Sequence, residues 1–222
     1  MKKIVYTAVI IALTVCTLAV CALTGCKSKK TDYTNYISEK RTNIYLYSND
    51  GLEIKIYISE KETPYSADGI KGEVSSLTEI FVTLPKNYDE VEVKAGNVEG
   101  EMSYRSVENC YYLSSSGGNI SGESVDVAID CGGESNTYSA VSVLYGGILS
   151  CDDALKCVIE HDENLFKSMT ENNIFCGEIF IRLLYDEGCY YYVGVCDRNK
   201  KINAYLVDGE RGRIIATKEL NG

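Results

Sequence analysis

Few residues of this chain have side chains and spacings that could do chemistry. The first is Cys26, which closes an uncharged run from Ile4. A thiol at the end of such a run is a nucleophile placed where lipid could reach it. Cys16 and Cys21 lie inside the same run. Seven cysteines follow it: Cys110, Cys131, Cys151, Cys157, Cys176, Cys189 and Cys196. Seven is odd, so at least one stays unpaired within the chain. No C-x-x-C occurs, and His161, the single histidine, has no cysteine pair at zinc-finger spacing. The expectation is buried thiols behaving as small apolar residues, with at most one incidental bridge. His161 stands among Glu160, Asp162 and Glu163, where it could act as a base or a ligand. It falls at the rim of a helix's apolar face, so solvent exposure is expected instead. Asp152-Asp153 suits the first turn of a helix, and Asp126 and Asp130 lack calcium-loop spacing. No serine sits in G-x-S-x-G. The Gly/Ser segment Ser114–Ser121 has no phosphate-loop pattern. These residues point to no catalytic group, no metal site and no cofactor, hence not to an enzyme. They leave any ligand-binding residues open.

Cys26 carries the strongest signal. Met1-Lys2-Lys3 precedes the apolar run, which is the layout of an export leader. The run ends Leu23-Thr24-Gly25-Cys26. This resembles the lipobox of bacterial lipoprotein signal peptides at all four positions. The resemblance implies cleavage between Gly25 and Cys26, with a diacylglyceryl group on the Cys26 thiol. It also places the chain on the extracytoplasmic face of the cell membrane, because two acyl chains anchor stably. From the residues alone, two alternatives stay open. The run could span a bilayer uncleaved, or Cys26 could be an ordinary cysteine of a secretory peptide. In all three cases residues 31–222 lie outside the cytoplasm.

Loss of residues 1–25 removes Lys2 and Lys3 and no acid. That leaves 20 basic against 32 acidic residues, a formal charge of −12. A surface of that sign repels phosphate backbones, so nucleic acid is not an expected partner. The expected partners are the membrane, through lipid on Cys26, and an envelope protein or peptide.

The elements that must carry these residues divide in two. Residues 26–42 are polar and read as a tether. Residues 43–146 alternate with period two. Leu52, Ile54, Ile56 and Ile58 share one face and Glu53, Lys55 and Tyr57 the other, after the hairpin turn Asn49-Asp50-Gly51. Six more strands are expected: Glu79–Leu84, Glu90–Ala95, Glu101–Ser106, Asn109–Leu113, Ser124–Asp130 and Thr137–Tyr145. Together they predict an antiparallel β-sandwich, Ig-like in strand number. Ser59–Ser76, with Pro64, Tyr65, Asp68 and Gly69, is read as a long loop. Residues 147–222 predict a small α+β domain. A helix opens at Ser150 and breaks near Asp162, which caps a second short helix. Strands follow over Ile174–Tyr185, Cys189–Cys196, Lys201–Val207 and Arg213–Leu220. The fold class is thus mainly β. Tyrosine is abundant, and Tyr111-Tyr112 and Tyr190-Tyr191-Tyr192 are expected to bury about half their rings by alternation.

The helix Asp152–Glu160 followed by strands ending Asp208-x-x-x-Gly212-Arg213-Ile214-Ile215 resembles the PepSY family over about 70 residues. Arg211 and Arg213 stand where that family usually has Thr and Lys. The resemblance implies a non-catalytic module that restrains a peptidase or binds an envelope partner. The expected function is a surface-anchored binding or adaptor lipoprotein. The alternatives are a regulator of an exported peptidase, acting through residues 147–222, and a solute-binding lipoprotein.

Overall fold

The computed structural model describes residues 31–221. The expected leader and the cleavage position at Gly25 and Cys26 lie outside the described residues. Among the described residues no helix is long and apolar enough to cross a membrane.

Order begins earlier than the polar sequence suggests. Asp32 caps a 3-10 turn, Tyr33–Tyr36, its carboxylate accepting from the Thr34 N–H. That turn runs straight into β1 (Ile37–Asn49). The tether expected to reach residue 42 therefore gives way ten residues sooner. The reason is pairing. Tyr36 and Ile37 are buried, and Ile37–Arg41 forms a parallel ladder with a strand some 140 residues later. A polar segment is held as a strand once both its edges find partners.

Asp50 and Gly51, both at positive φ, turn β1 into β2 (Leu52–Glu62), as the Asp-Gly pair requires. Next come β3 (Val74–Thr83), β4 (Val91–Ala95), β5 (Val98–Glu101), β6 (Ser103–Arg105), β7 (Cys110–Ser116), β8 (Ser124–Cys131) and β9 (Glu134–Ser142). The expected Glu101–Ser106 strand is two pieces interrupted at Met102, which turns into the core. The long loop shrinks to residues 63–73, because β2 and β3 pair as far as Glu62↔Val74. The order β1-β2-β3-β7-β6 forms one layer and β9-β8-β4-β5 the other. The layers are joined where Tyr45 and Leu46 pair with Ser142 and Val141. Ile54, Ile56, Ile80, Val82, Val93, Val127 and Ile129 fill the space between them.

Helix α1 (Cys151–His161) starts at a capping box. Ser150 Oγ accepts the Asp153 N–H at 3.1 Å, and the Asp153 carboxylate receives the Ser150 hydroxyl and N–H. It ends at Asp162, as expected. The Asp162 carboxylate accepts the Leu165 N–H at 3.2 Å and so starts α2 (Glu163–Ser168). Its other oxygen accepts the Tyr205 hydroxyl at 2.9 Å. One side chain both breaks the helix and ties the break to the sheet. After the short hairpin β10 (Thr170–Glu171) and β11 (Ile174–Phe175), the chain runs through the meander β12 (Glu178–Tyr185), β13 (Cys189–Cys196), β14 (Ile202–Asp208) and β15 (Ile214–Leu220). Leu155 and Val158 of α1, and Phe166 of α2, pack on Ile179, Ile181, Val193 and Val207 of the meander.

The fold is mainly β and antiparallel, sandwich-like, with its helices near the C terminus. Two apolar clusters form, but the expected boundary at Gly146-Gly147 divides neither the sheet nor the helix-side cluster, which draws Tyr36, Ile37, Ile44 and Val143 from before it. Strand β1 feeds both clusters: Ile37 and Ile44 enter the helix-side cluster and Tyr45 the sandwich. Ile44→Ala and Ile56→Ala, one in each cluster, should each cost about 2–5 kcal/mol. Because β1 is common to both, urea unfolding followed by circular dichroism should show one shifted transition in each variant. Two separated transitions would show that the halves fold independently.

Candidate functional site

The face of the sheet turned away from the sandwich core collects arginines and aromatic rings. Tyr57 on β2, Phe81 on β3 and Tyr112 on β7 stand on neighbouring strands. Their ring centroids are 5.4 and 5.0 Å apart. Arg105, on β6, lies over the Tyr112 ring at 3.3 Å. At the other end Arg41 lies over Tyr57 at 3.8 Å. The Tyr112 hydroxyl donates to Glu79 at 2.9 Å. Beyond β1 the pattern continues on the meander. Arg182 donates to Glu39 at 2.9 Å and its guanidinium is 5.4 Å from the Phe180 ring. Phe180 stacks on Tyr192 at 5.9 Å.

Each contact follows from strand register. Ile44↔Tyr57, Lys55↔Phe81 and Phe81↔Tyr112 are cross-strand partners. Bulges in β1 between Ile37 and Glu39 and between Arg41 and Asn43 re-aim its side chains. They bring Glu39 and Arg41 to the same face as Phe180 and Arg182. Phe180 lies flat because its cross-strand partner is Gly194. A Cβ on Gly194 would sit 2.2 Å from the Phe180 ring, so the absence of a side chain makes the ring's bed.

Arg41 is the least satisfied member. Its Nε is buried without a partner. Its terminal nitrogen donates to the Leu183 carbonyl at 3.4 Å. Burial lowers its pKa from the usual arginine value, the nearby Arg182 charge adds to that, and Tyr57, Glu79 and Glu39 oppose it. Guanidinium remains charged throughout the physiological range. The strip is therefore a half-exposed set of planar cations over rings, each contact worth about 0.5–1 kcal/mol. Such an arrangement can bind planar or acidic groups.

The residues singled out in the sequence are scattered. His161 is exposed in the last turn of α1, with its ring 6.2 Å from that of Tyr205. Asp152, Asp153, Asp126 and Asp130 are exposed. Asp153 serves the helix cap, and its Ser150 hydrogen bonds lower its pKa. Among the described residues no group of three His, Cys, Asp or Glu side chains is placed to hold a metal ion. Tyr111 and Tyr191 are buried and Tyr112, Tyr190 and Tyr192 half-exposed, as alternation requires. Tyr111 bonds both the amide and carbonyl of Tyr88, and Tyr191 donates to the Leu149 carbonyl. Cys26 and Gly25 lie outside the described residues.

All seven later cysteines are free. Cys151 is the one with a claim to reactivity, since it opens α1, where a helix dipole favours thiolate. It lines a cleft of about 330 Å³ with Lys40, Thr42 and Tyr191. Burial wins over the dipole and pushes its thiol up to about 12, and its sulfur instead donates to the Arg41 carbonyl. Such a thiol is inert at neutral pH.

The strip's arginines were not singled out in the sequence. Arg41 falls in the segment expected as a tether, and Arg105 and Arg182 fall within the expected strands Glu101–Ser106 and Ile174–Tyr185. The available signal was outward Tyr57, Phe81 and Tyr112 at period two. Only the pairing shows that they adjoin.

Native alkylation with iodoacetamide at pH 8, read by intact mass, should modify Cys131 and Cys157, which are half-buried. Cys110, Cys151, Cys176, Cys189 and Cys196 should react only after unfolding. Rapid native labelling of Cys151 would refute its assignment as an inert core thiol.

Comparison with protein families, with curated proteins and with solved structures finds no match to this chain.

Proposed function

We propose that this chain is a lipid-anchored, non-enzymatic binding module of the bacterial cell envelope, and that it engages a protein or peptide partner through the arginine–aromatic strip. The observation that carries the binding half of the reading is the strip itself. Arg41, Arg105 and Arg182 are three of the chain's six arginines, and all three lie over rings on one face of a chain whose overall charge is strongly negative. Tyrosine, phenylalanine and arginine are the residues that supply most interface energy. Strand rungs hold them in place before binding, which lowers the ordering cost of association. A partner presenting acidic or aromatic side chains would complement them. The anchoring half rests on Leu23-Thr24-Gly25-Cys26.

A second reading has its own support. The order of α1 and the meander β12–β15 agrees with the PepSY-like pattern, which favours restraint of an exported peptidase through residues 147–222. The two readings place the partner on different faces.

The mature chain used as bait on its own envelope extract separates them. Arg105→Glu and Arg182→Glu should each weaken retention of a specific partner about tenfold, equivalent to ~1.4 kcal/mol. Lys156→Glu on the exposed face of α1 should leave it unchanged. Loss with Lys156→Glu alone would favour the peptidase reading. Indifference to all three would remove the strip as a binding face. Intact mass of the membrane-extracted protein should begin at an acylated Cys26, and an unmodified Cys26 behind a retained Met1 would end the anchoring half.

A further inference from the structure

Residues 63–65 help to wall a cleft at one end of the strip. β2 and β12 flank β1 on opposite edges. Tyr65 follows β2, and its hydroxyl donates to the carbonyl of Gly177, just before β12, at 2.6 Å. The Tyr65 side chain thus reaches from the β2 side of β1 to the β12 side. Thr63 N–H donates to the Glu73 carbonyl at 3.4 Å and holds the segment at its base. The space enclosed is about 380 Å³, within the size range of small-ligand sites.

Its lining has more carboxylates than cations to meet them. Glu39, Glu62 and Glu178 share it with Lys61 and Arg182, and Tyr65 and Phe180 are its aromatic walls. Glu39 and Arg182 neutralise each other at 2.9 Å. Lys61 is exposed, so water screens its charge. Glu62 stands apart from these, being only 3% exposed. Its Oε1 accepts the Gly72 N–H at 2.9 Å. Its Oε2 is buried with no hydrogen-bond partner among the described residues. A buried carboxylate oxygen without a donor is costly, because burial removes the water that would serve it. Glu178, half-buried at the start of β12, adds a second carboxylate. Tyr65 registers the resulting field. Burial raises its pKa above the usual tyrosine value, and Glu178 and Glu62 raise it further.

A metal ion is a poor fit, since among the described residues no three His, Cys, Asp or Glu side chains are placed to hold one. An ammonium or guanidinium fits better. It brings donors to Oε2, positive charge to Glu178 and a cation to the rings. Phe180 and Arg182 also belong to the strip, so the cleft continues the surface on which a partner would lie. A larger cleft of about 540 Å³ is lined by Glu90, Glu92, Glu101, Asp130 and Glu134. All five are exposed, and water already serves them.

We propose that the cleft between β2 and β12 takes a basic side chain, lysine or arginine, of the bound partner, with its cation seated on Glu62 Oε2 and Glu178. The partner as source of that side chain rests on the strip reading, whereas the cation site does not.

The probes are Nα-acetyl-lysine amide and Nα-acetyl-arginine amide, with Nα-acetyl-norleucine amide as the uncharged mimic. Saturation-transfer NMR on the full chain, purified from a bacterial host in detergent, should detect the two cations and not norleucine. Glu62→Gln should weaken their binding about tenfold, and the half-exposed Glu178→Gln about threefold. Both replacements are isosteric, and circular dichroism checks that each variant folds. Glu92→Gln, in the larger cleft, should change nothing. No binding above that of norleucine, or equal binding by the parent and both variants, overturns the proposal and leaves Oε2 to water. Tighter binding of 1,4-diaminobutane than of either amide would assign the site to a free amine and overturn the peptide source. Bait retention keeps the two readings apart. Partner loss with Arg105→Glu, when no amide binds, removes the cleft and leaves the strip. Amide binding that Glu62→Gln abolishes, with retention indifferent to Arg105→Glu and Arg182→Glu, removes the strip and its partner and leaves a cation site.

Discussion

β1 pairs along both edges and feeds both apolar clusters, and the rest of the fold depends on that. Along one edge it pairs with β2 from Glu39 to Asn49. Its other edge is divided, with residues 37–41 pairing with β12 and residues 45–46 with β9. Its two faces feed two apolar clusters. A bulge between Arg41 and Asn43 makes the division possible, because it bends the strand between its two partners. Without β1 the meander would lose an edge and the sandwich the rung that joins its layers. The parallel pairing with β12 is also the most non-local strand pairing among the described residues. The whole sandwich lies between its two strands in the chain.

The same strand builds the exposed strip. Its two bulges turn Glu39 and Arg41 outward, beside Phe180 and Arg182 on one side and Tyr57 on the other. The strip crosses from the sandwich onto the meander because the sheet does. Binding through it would report on both halves at once, which two separately tethered modules could not do. The cysteines illustrate a related competition. Cys151 has the helix position of an activated thiol and the pKa of an inert one, because desolvation in a packed interior outweighs the partial charge of a helix end.

Much of the fold was legible in the residues. Period-two alternation located most strands to within a few positions, and Cys189–Cys196 was found at its true ends. Asn49-Asp50-Gly51 specified its turn, and Asp162 was identified as a helix break because a carboxylate in an apolar stripe needs partners. It has them in Leu165 and Tyr205. Residues 32–42 were misread for an equally physical reason. Their polar composition carries no period, and what makes them a strand is the presence of β2 and β12 on either side.

By itself the sequence determined local matters: turn chemistry, helix caps, the alternation that buries part of each tyrosine run, and the lipobox-like Leu23-Thr24-Gly25-Cys26. Each depends on neighbours within a few residues. Only the tertiary structure decided that two apolar clusters share one strand and that three distant arginines meet three strands' worth of rings. Those outcomes depend on register between strands far apart in the chain, which composition and spacing do not encode.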